Sequence, residues 1–176
     1  MADIRERIEE DRGLLKKIQT YIPGFKGYRQ REDMRDADRM LRAQLAQKVA
    51  LQRRGLEECR GILMQSPGSK ELDMIGSLIS QFKKVEGVVA HAATGYSGIA
   101  ADIRVREEEI DRLYEYDAGM LDHMVSISAS VESLKDALMA ADETTIFRDM
   151  MNIKARISDF EDKFSSRLRA IEGTEV

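Results

Sequence analysis

Tyr21, Phe25 and Tyr28 place three of the chain's ten aromatic residues within eight positions, with Lys26 and Arg29 among them. Aromatic rings interleaved with cations can stack on the bases of a single-stranded nucleic acid, or anchor a protein partner. Arg31, Arg35, Arg39 and Arg42 follow, but Glu32, Asp33, Asp36 and Asp38 alternate with them. Pairs such as Asp38–Arg42 (i, i+4) and Asp36–Arg39 (i, i+3) have the spacing of ordinary helix-surface electrostatics. The mixed signs weigh against nucleic acid and predict a solvated charged face. The aromatics then either close the end of a core or dock a protein. Tyr96, in Thr94-Gly95-Tyr96-Ser97-Gly98, marks a second loop. It joins Tyr21, Phe25, Lys26, Tyr28 and Arg29 as a candidate partner-binding group.

Catalytic patterns are missing where their residue types occur. The two histidines, His91 and His123, have Val88 and Met120 three positions before them, so the Glu-x-x-His pattern of a di-iron bundle is absent. Asp122 and His123 are adjacent, and on a helix adjacent side chains diverge by about 100°. Gly95-Tyr96-Ser97-Gly98 lacks the second glycine of Gly-x-Ser-x-Gly, because Ile99 stands there, and Ser97 reads as a turn or helix-capping hydroxyl. Gly24-Phe25-Lys26-Gly27 is not a phosphate-cradling Walker sequence. Cys59 is the single cysteine, which leaves no internal disulfide and no cysteine-based zinc site. No catalytic residue, metal ligand or cofactor is expected.

The elements that must position these residues are helical. Charged residues make up 34% of the chain and hydrophobic ones 43%, with two prolines and no tryptophan, a composition that suits helices around a real core. Apolar spacing predicts an all-α antiparallel bundle forming one domain over residues 1–176. Five helical segments are expected, at about 3–20, 29–64, 70–93, 110–141 and 146–171. Loops fall at 21–28 and 94–99, and residues 173–176 are expected to fray. Pro23-Gly24 favours a type II turn, since proline presets φ and glycine tolerates φ > 0. Helices two and three are joined by Ser66-Pro67-Gly68, which brings the Tyr96 loop back toward the Tyr28 loop. Helix three is about a dozen residues the shorter, which leaves a gap of roughly 18 Å to be filled by the folded loop or left as a pocket.

The last two helices carry the clearest pattern. Positions 110, 113, 117, 120, 124, 127, 131, 134, 138 and 141 step by threes and fours, and all are apolar except Asp117. The partner stripe, from Ile146 to Ile171, is interrupted only by Arg167. Sustained heptads with a short link near residues 141–145 predict an antiparallel αα-hairpin with coiled-coil packing. Tyr114, Leu121 and Val125 widen the apolar face beyond what two strands need, which favours a multi-helix bundle. A core carboxylate is costly unless paired. The hairpin register places Asp117 opposite residue 169, so Arg167 or Arg169 is its expected partner in a structural polar seam, with Arg106 an alternative.

Residues 1–66 hold 15 basic and 11 acidic residues, and residues 67–176 hold 13 and 21, so a net charge of −4 is split into +4 and −8. Such an uneven field orients partners without being a nucleic-acid footprint. The N-terminus has no apolar signal region and no apolar run is long enough to span a bilayer, so a cytoplasmic protein is expected. The leading functional expectation is a non-catalytic interaction or scaffold protein that docks a protein partner or itself. The alternatives are a peripheral membrane-associated regulator, from the amphipathic first helix, and an enzyme with a pocket between the two aromatic loops.

Overall fold

The computed structural model describes residues 2–28, 31–65, 70–92 and 107–172, and side chains over 12–28, 36–65, 70–92 and 110–170. Five helices follow in chain order: α1 (Ala2–Tyr21), α2 (Arg31–Leu63), α3 (Glu71–His91), α4 (Glu107–Met139) and α5 (Glu143–Glu172). No strand occurs among the described residues. The apolar stripes explain why these segments fold together. Leu41, Leu45, Val49, Leu56 and Cys59 of α2 are fully buried, as are Ile75, Phe82 and Val89 of α3 and Ile153, Ile157 and Phe160 of α5. Each stripe is one helical face turned toward a shared core.

Side-chain bridges set the direction of every helix. Arg53 of α2 donates to Glu86 of α3 at 2.8 Å, and Arg42 donates to the Ala92 carbonyl just past the end of α3, so α2 and α3 are antiparallel. Ser133 and Arg167 reach Asp149 and Asp117 across α4 and α5, near to and far from their turn, so this pair is antiparallel as well. The α2–α4 and α3–α5 neighbours are parallel. Glu58–Lys135 links the first pair, while Gln81–Ser158 and Lys84–Glu161 link the second. In all three bridges the partners stand 77 positions apart. The result is a square of four helices with α2 diagonal to α5. Individually these surface ion pairs contribute little to stability; their regular offset is what reports the register.

α1 runs antiparallel to α4 along the outside of the α2–α4 pair. Lys17 meets Asp122, Gln44 donates to the Tyr21 carbonyl, and Lys48 lies 5.5 Å from the Tyr21 ring centroid. This helix accounts for part of the extra apolar width of α4: Tyr114 and Leu121 are buried there with Ala118, whereas Val125 is exposed.

The α4–α5 turn departs from the expected seam. Ala141 is exposed rather than a core position, because α4 ends at Met139 and Ala141 takes φ +53°. The Asp142 amide donates to the Ala137 carbonyl and the Ala141 amide to Leu138, the two bonds of a Schellman cap. The left-handed position is normally glycine, and a Cβ there costs about 1 kcal/mol. Asp142 then caps α5, accepting from the Thr145 amide at 3.2 Å. Ala141→Gly is expected to raise the unfolding free energy by about 1 kcal/mol in urea titrations, the cap bonds being kept while the Cβ strain is removed.

Cys59 is fully buried, and burial pushes its thiol up to about 11. A thiol needs its thiolate to react. Iodoacetamide is expected to leave folded protein unmodified at neutral pH and to label it rapidly in denaturant. Rapid labelling of the folded protein would show that this part of α2 opens.

A buried arginine hub as the candidate functional site

The loop after α1 is built by local rules before it meets the bundle. The Phe25 amide donates to the Ile22 carbonyl across Pro23-Gly24, with Gly24 at φ +85°, which is the expected type II turn. The Gln19 side chain donates to the Phe25 carbonyl at 2.9 Å and holds the turn against α1. Gly27 also takes a positive φ, +89°, and this reversal sends Tyr28 back into the bundle. Phe25 and Tyr28 pack edge-to-face with ring centroids 5.6 Å apart, and Tyr28 lies 5.2 Å from the ring of Tyr114.

Phe25 and Tyr28 are each 1% exposed. They are core residues that close the bundle end and are not presented to a partner. Of the candidate docking groups of this loop, Lys26 is exposed and Tyr21 half-buried, while Arg29 and Tyr96 lie outside the described residues. The folded loop therefore occupies the overhang left by the shorter α3. Outside it remains a shallow cavity of about 150 Å³ lined by Gly24, Lys26, Asp36, Ala37, Arg39 and Met40.

Beneath the loop, Arg167 is the hub. Its side chain is 0% exposed, and each of its three nitrogens donates to a different element. Nε reaches Asp117 Oδ1 of α4 at 2.5 Å, Nη1 reaches Asp38 Oδ1 of α2 at 2.5 Å, and Nη2 reaches the Tyr28 hydroxyl at 2.9 Å. The Tyr28 hydroxyl in turn donates to Asp117 Oδ2. Asp38 Oδ2 accepts from Arg42 Nε at 2.8 Å, and Arg42 Nη1 donates to the Ala92 carbonyl at 2.8 Å. Two guanidinium groups thus face two carboxylates, and one α5 side chain ties α2, α4 and the loop together. The Tyr28 amide donates to the Tyr114 hydroxyl at 3.0 Å.

The electrostatics follow from burial. Desolvation, followed by the Asp117 charge and its hydrogen bond, pushes the Tyr28 phenol well above its ordinary range against the opposing pull of Arg167, so it stays a donor. Burial pushes the Asp117 carboxyl up, and Arg167 opposes it. Burial alone would lower the Arg167 guanidinium, but Asp117, Tyr28 and Asp38 outweigh it and hold it charged. A hydroxyl between a carboxylate and a guanidinium has the components of an acid–base pair. Here every one of those groups ends on another protein group inside the fold.

One reading of the charges needs correcting. Asp38 and Arg42 are not part of a solvated face: they are 2% and 8% exposed. Asp117 meets Arg167, one of the two partners that the hairpin register offers; Arg169 is exposed and donates to Ser166. Arg106 lies outside the described residues.

The remaining chemistry-bearing side chains are scattered. His91 is exposed at the end of α3, and no group of three or more His, Cys, Asp or Glu is placed for a metal among the described residues. Nor is any helix among them long and apolar enough to cross a membrane. His123 lies half-buried on α4 with Nδ1 buried and without a hydrogen-bond partner. Burial, then the Lys163 charge, lowers its pKa below the usual 6.5. A histidine depressed in the folded state favours folding above the unfolded pKa and loses that contribution as pH falls through its folded value. NMR titration is therefore expected to place the His123 midpoint below 6.5, and stability to decline on acidification from that pH downward. Comparison with protein-family models, curated proteins and solved structures finds no significant match to this chain.

Proposed function

We propose that this chain is a non-catalytic helical interaction module that docks a protein partner. The observation that carries this reading is a contrast between its interior and its surface. The buried polar hub is satisfied by its own members, whereas Phe147, Met151, Met139 and Met64 stand 55%, 45%, 69% and 65% exposed. All four lie toward the end of the bundle that holds the α4–α5 turn, away from the aromatic loop. Leu51, Val88 and Val125 are exposed elsewhere in the bundle, but the turn end holds four of the seven exposed large apolar side chains among the described residues. That grouping is a mark of an interaction surface, and methionine adapts to varied partners. The aromatic loop then serves to close the fold. A single, buried, unreactive thiol fits work in the reducing cytoplasm.

Affinity capture from the source cells with mass spectrometry, paired with sedimentation of the purified chain, tests the reading. Proteins retained reproducibly above a control bait, or a defined self-assembly, support it. A monomer that captures nothing overturns it and returns attention to the surface cavity beside Lys26.

A further inference from the structure

We propose that α1 and its loop, residues 2–28, form a strap that opens from the α2–α5 bundle as one unit while the four helices stay folded, with the Tyr28 hydroxyl as its latch. The latch lies at the opposite end of the bundle from the exposed methionines, and the device stands apart from the interaction reading above.

The four-helix square closes on itself without the strap. α2 meets α3 and α4, and α5 meets the same two, whereas α1 lies outside, chiefly against α4. Contacts within the strap hold it together as it moves: Gln19 donates to the Phe25 carbonyl, the Phe25 amide donates to Ile22, and Phe25 packs edge-to-face on Tyr28. Its seating is graded. Ile18, Ile22, Phe25 and Tyr28, toward the hub, are buried. Further out, Leu14 and Leu15 are half-buried, and Gly13 is exposed with open space where a Cβ would stand. Val125 of α4, one turn beyond the Lys17–Asp122 bridge, is half-exposed. Sparse buried contact is what lets a segment open at a lower free energy than the whole fold.

The hub decides where the break is cheap. Its two guanidinium groups, Arg42 and Arg167, balance its two carboxylates, Asp38 and Asp117, without Tyr28. Tyr28 adds a neutral hydroxyl, which donates to Asp117 and accepts from Arg167. When the strap leaves, water takes both hydrogen bonds and no charge is stranded. Detaching α2, α4 or α5 would instead part Arg167 from Asp38 or Asp117 and leave buried charge uncompensated. The ties along α1 are weak by comparison: Lys17 and Asp122 are both about half-exposed, and Gln44 meets the Tyr21 carbonyl at 3.2 Å. Opening uncovers Tyr114, Ala118 and Leu121 of α4 and admits water to Asp117 and Arg167. The closed strap keeps that end of the bundle dry.

Native-state hydrogen exchange of the full chain, followed by NMR, tests the strap. The amides of residues 18–22 and of Tyr28 are expected to share one protection level, at least about tenfold below the slowest amides of α3 and α5. Ile153→Val, in the core of α5, is expected to lower α3 and α5 protection about two- to tenfold and to leave the strap unchanged. Tyr28→Phe is expected to lower the protection of residues 18–22, on the far side of the turn, by at least about fivefold. A thiol supplies the second probe. Ala118→Cys, at a buried position beneath α1, is expected to react with iodoacetamide at least about tenfold faster than Cys59 in the same molecule, which the closed square keeps covered. One common protection level that Ile153→Val lowers throughout means a single cooperative unit and overturns the proposal. So does a Tyr28→Phe variant that frees the loop but leaves residues 18–22 unchanged, or an Ala118→Cys thiol that reacts no faster than Cys59.

Discussion

Replacing Arg167 with methionine is expected to lower the unfolding free energy by about 3–5 kcal/mol, a large share of the roughly 5–15 kcal/mol that holds a domain together. Methionine matches the length and apolar stem of the arginine, so packing is nearly conserved and the loss is electrostatic. With the guanidinium gone, Asp117 is left 0% exposed with only the Tyr28 hydroxyl, and Asp38 keeps only Arg42. Uncompensated buried charge is what makes removal of one partner so expensive. Urea unfolding at neutral pH measures the effect. A loss below about 1 kcal/mol would mean the site is wet enough to screen these charges, as at an exposed pair. Tyr28→Phe is a gentler probe, since it removes one hydroxyl shared by Asp117 and Arg167 and leaves the ion pair, with an expected loss of about 1–3 kcal/mol. Replacing Asp38, Arg42, Asp117 and Arg167 together by apolar residues of similar volume is expected to recover much of the loss, because the desolvation of both signs disappears with the charges.

The hub also shows where sequence reading succeeds and where it stops. Asp117 and Arg167 announce themselves because each interrupts a long apolar heptad, and the length of the α4–α5 turn fixes which levels can meet. Asp38 and Arg42 are harder to see. They are an i, i+4 pair among six other charges on the first turns of α2, and the same spacing describes an exposed pair as well as a buried one. What distinguishes them is a neighbour 129 positions away in sequence, the Arg167 guanidinium, and no local rule supplies it. The aromatic loop divides in the same way. Its turn follows from Pro23-Gly24, whereas the inward course of Tyr28 depends on acceptors supplied by α4, Tyr114 and Asp117, and on a donor supplied by α5, Arg167. The helices themselves are legible to within about three residues at each end, because a bundle writes its core into a periodic stripe that each helix repeats. Ala141 is an exception for a local reason: the stripe runs one step past the point where the Schellman bonds turn the chain.

Gly27→Ala is expected to cost about 2–4 kcal/mol, from two sources that can be separated. Gly27 holds φ +89°, where an L side chain is strained by about 1–2 kcal/mol. A Cβ built there would also collide with the Tyr114 hydroxyl. That hydroxyl accepts the buried Tyr28 amide, so pushing it aside leaves the amide unpaired, at about 1–3 kcal/mol. Gly24 supplies the control. It has nearly the same backbone conformation, φ +85°, but is exposed, and an added Cβ would meet only Met40 Cε at 3.8 Å. Gly24→Ala should therefore show the backbone strain alone, about 1–2 kcal/mol. The excess at Gly27 measures how firmly the loop is seated. Tyr114→Phe completes the test, because it removes the oxygen that the new Cβ would strike and leaves the ring carbon beneath it at an ordinary 3.5 Å. Alone it breaks the bond to the Tyr28 amide and is expected to destabilise. Added to Gly27→Ala it should cost almost nothing further, since that bond is already lost and the collision is relieved. Strict additivity of the two changes would show instead that the loop meets α4 elsewhere, and that Tyr28 reaches the arginine hub without the help of Gly27.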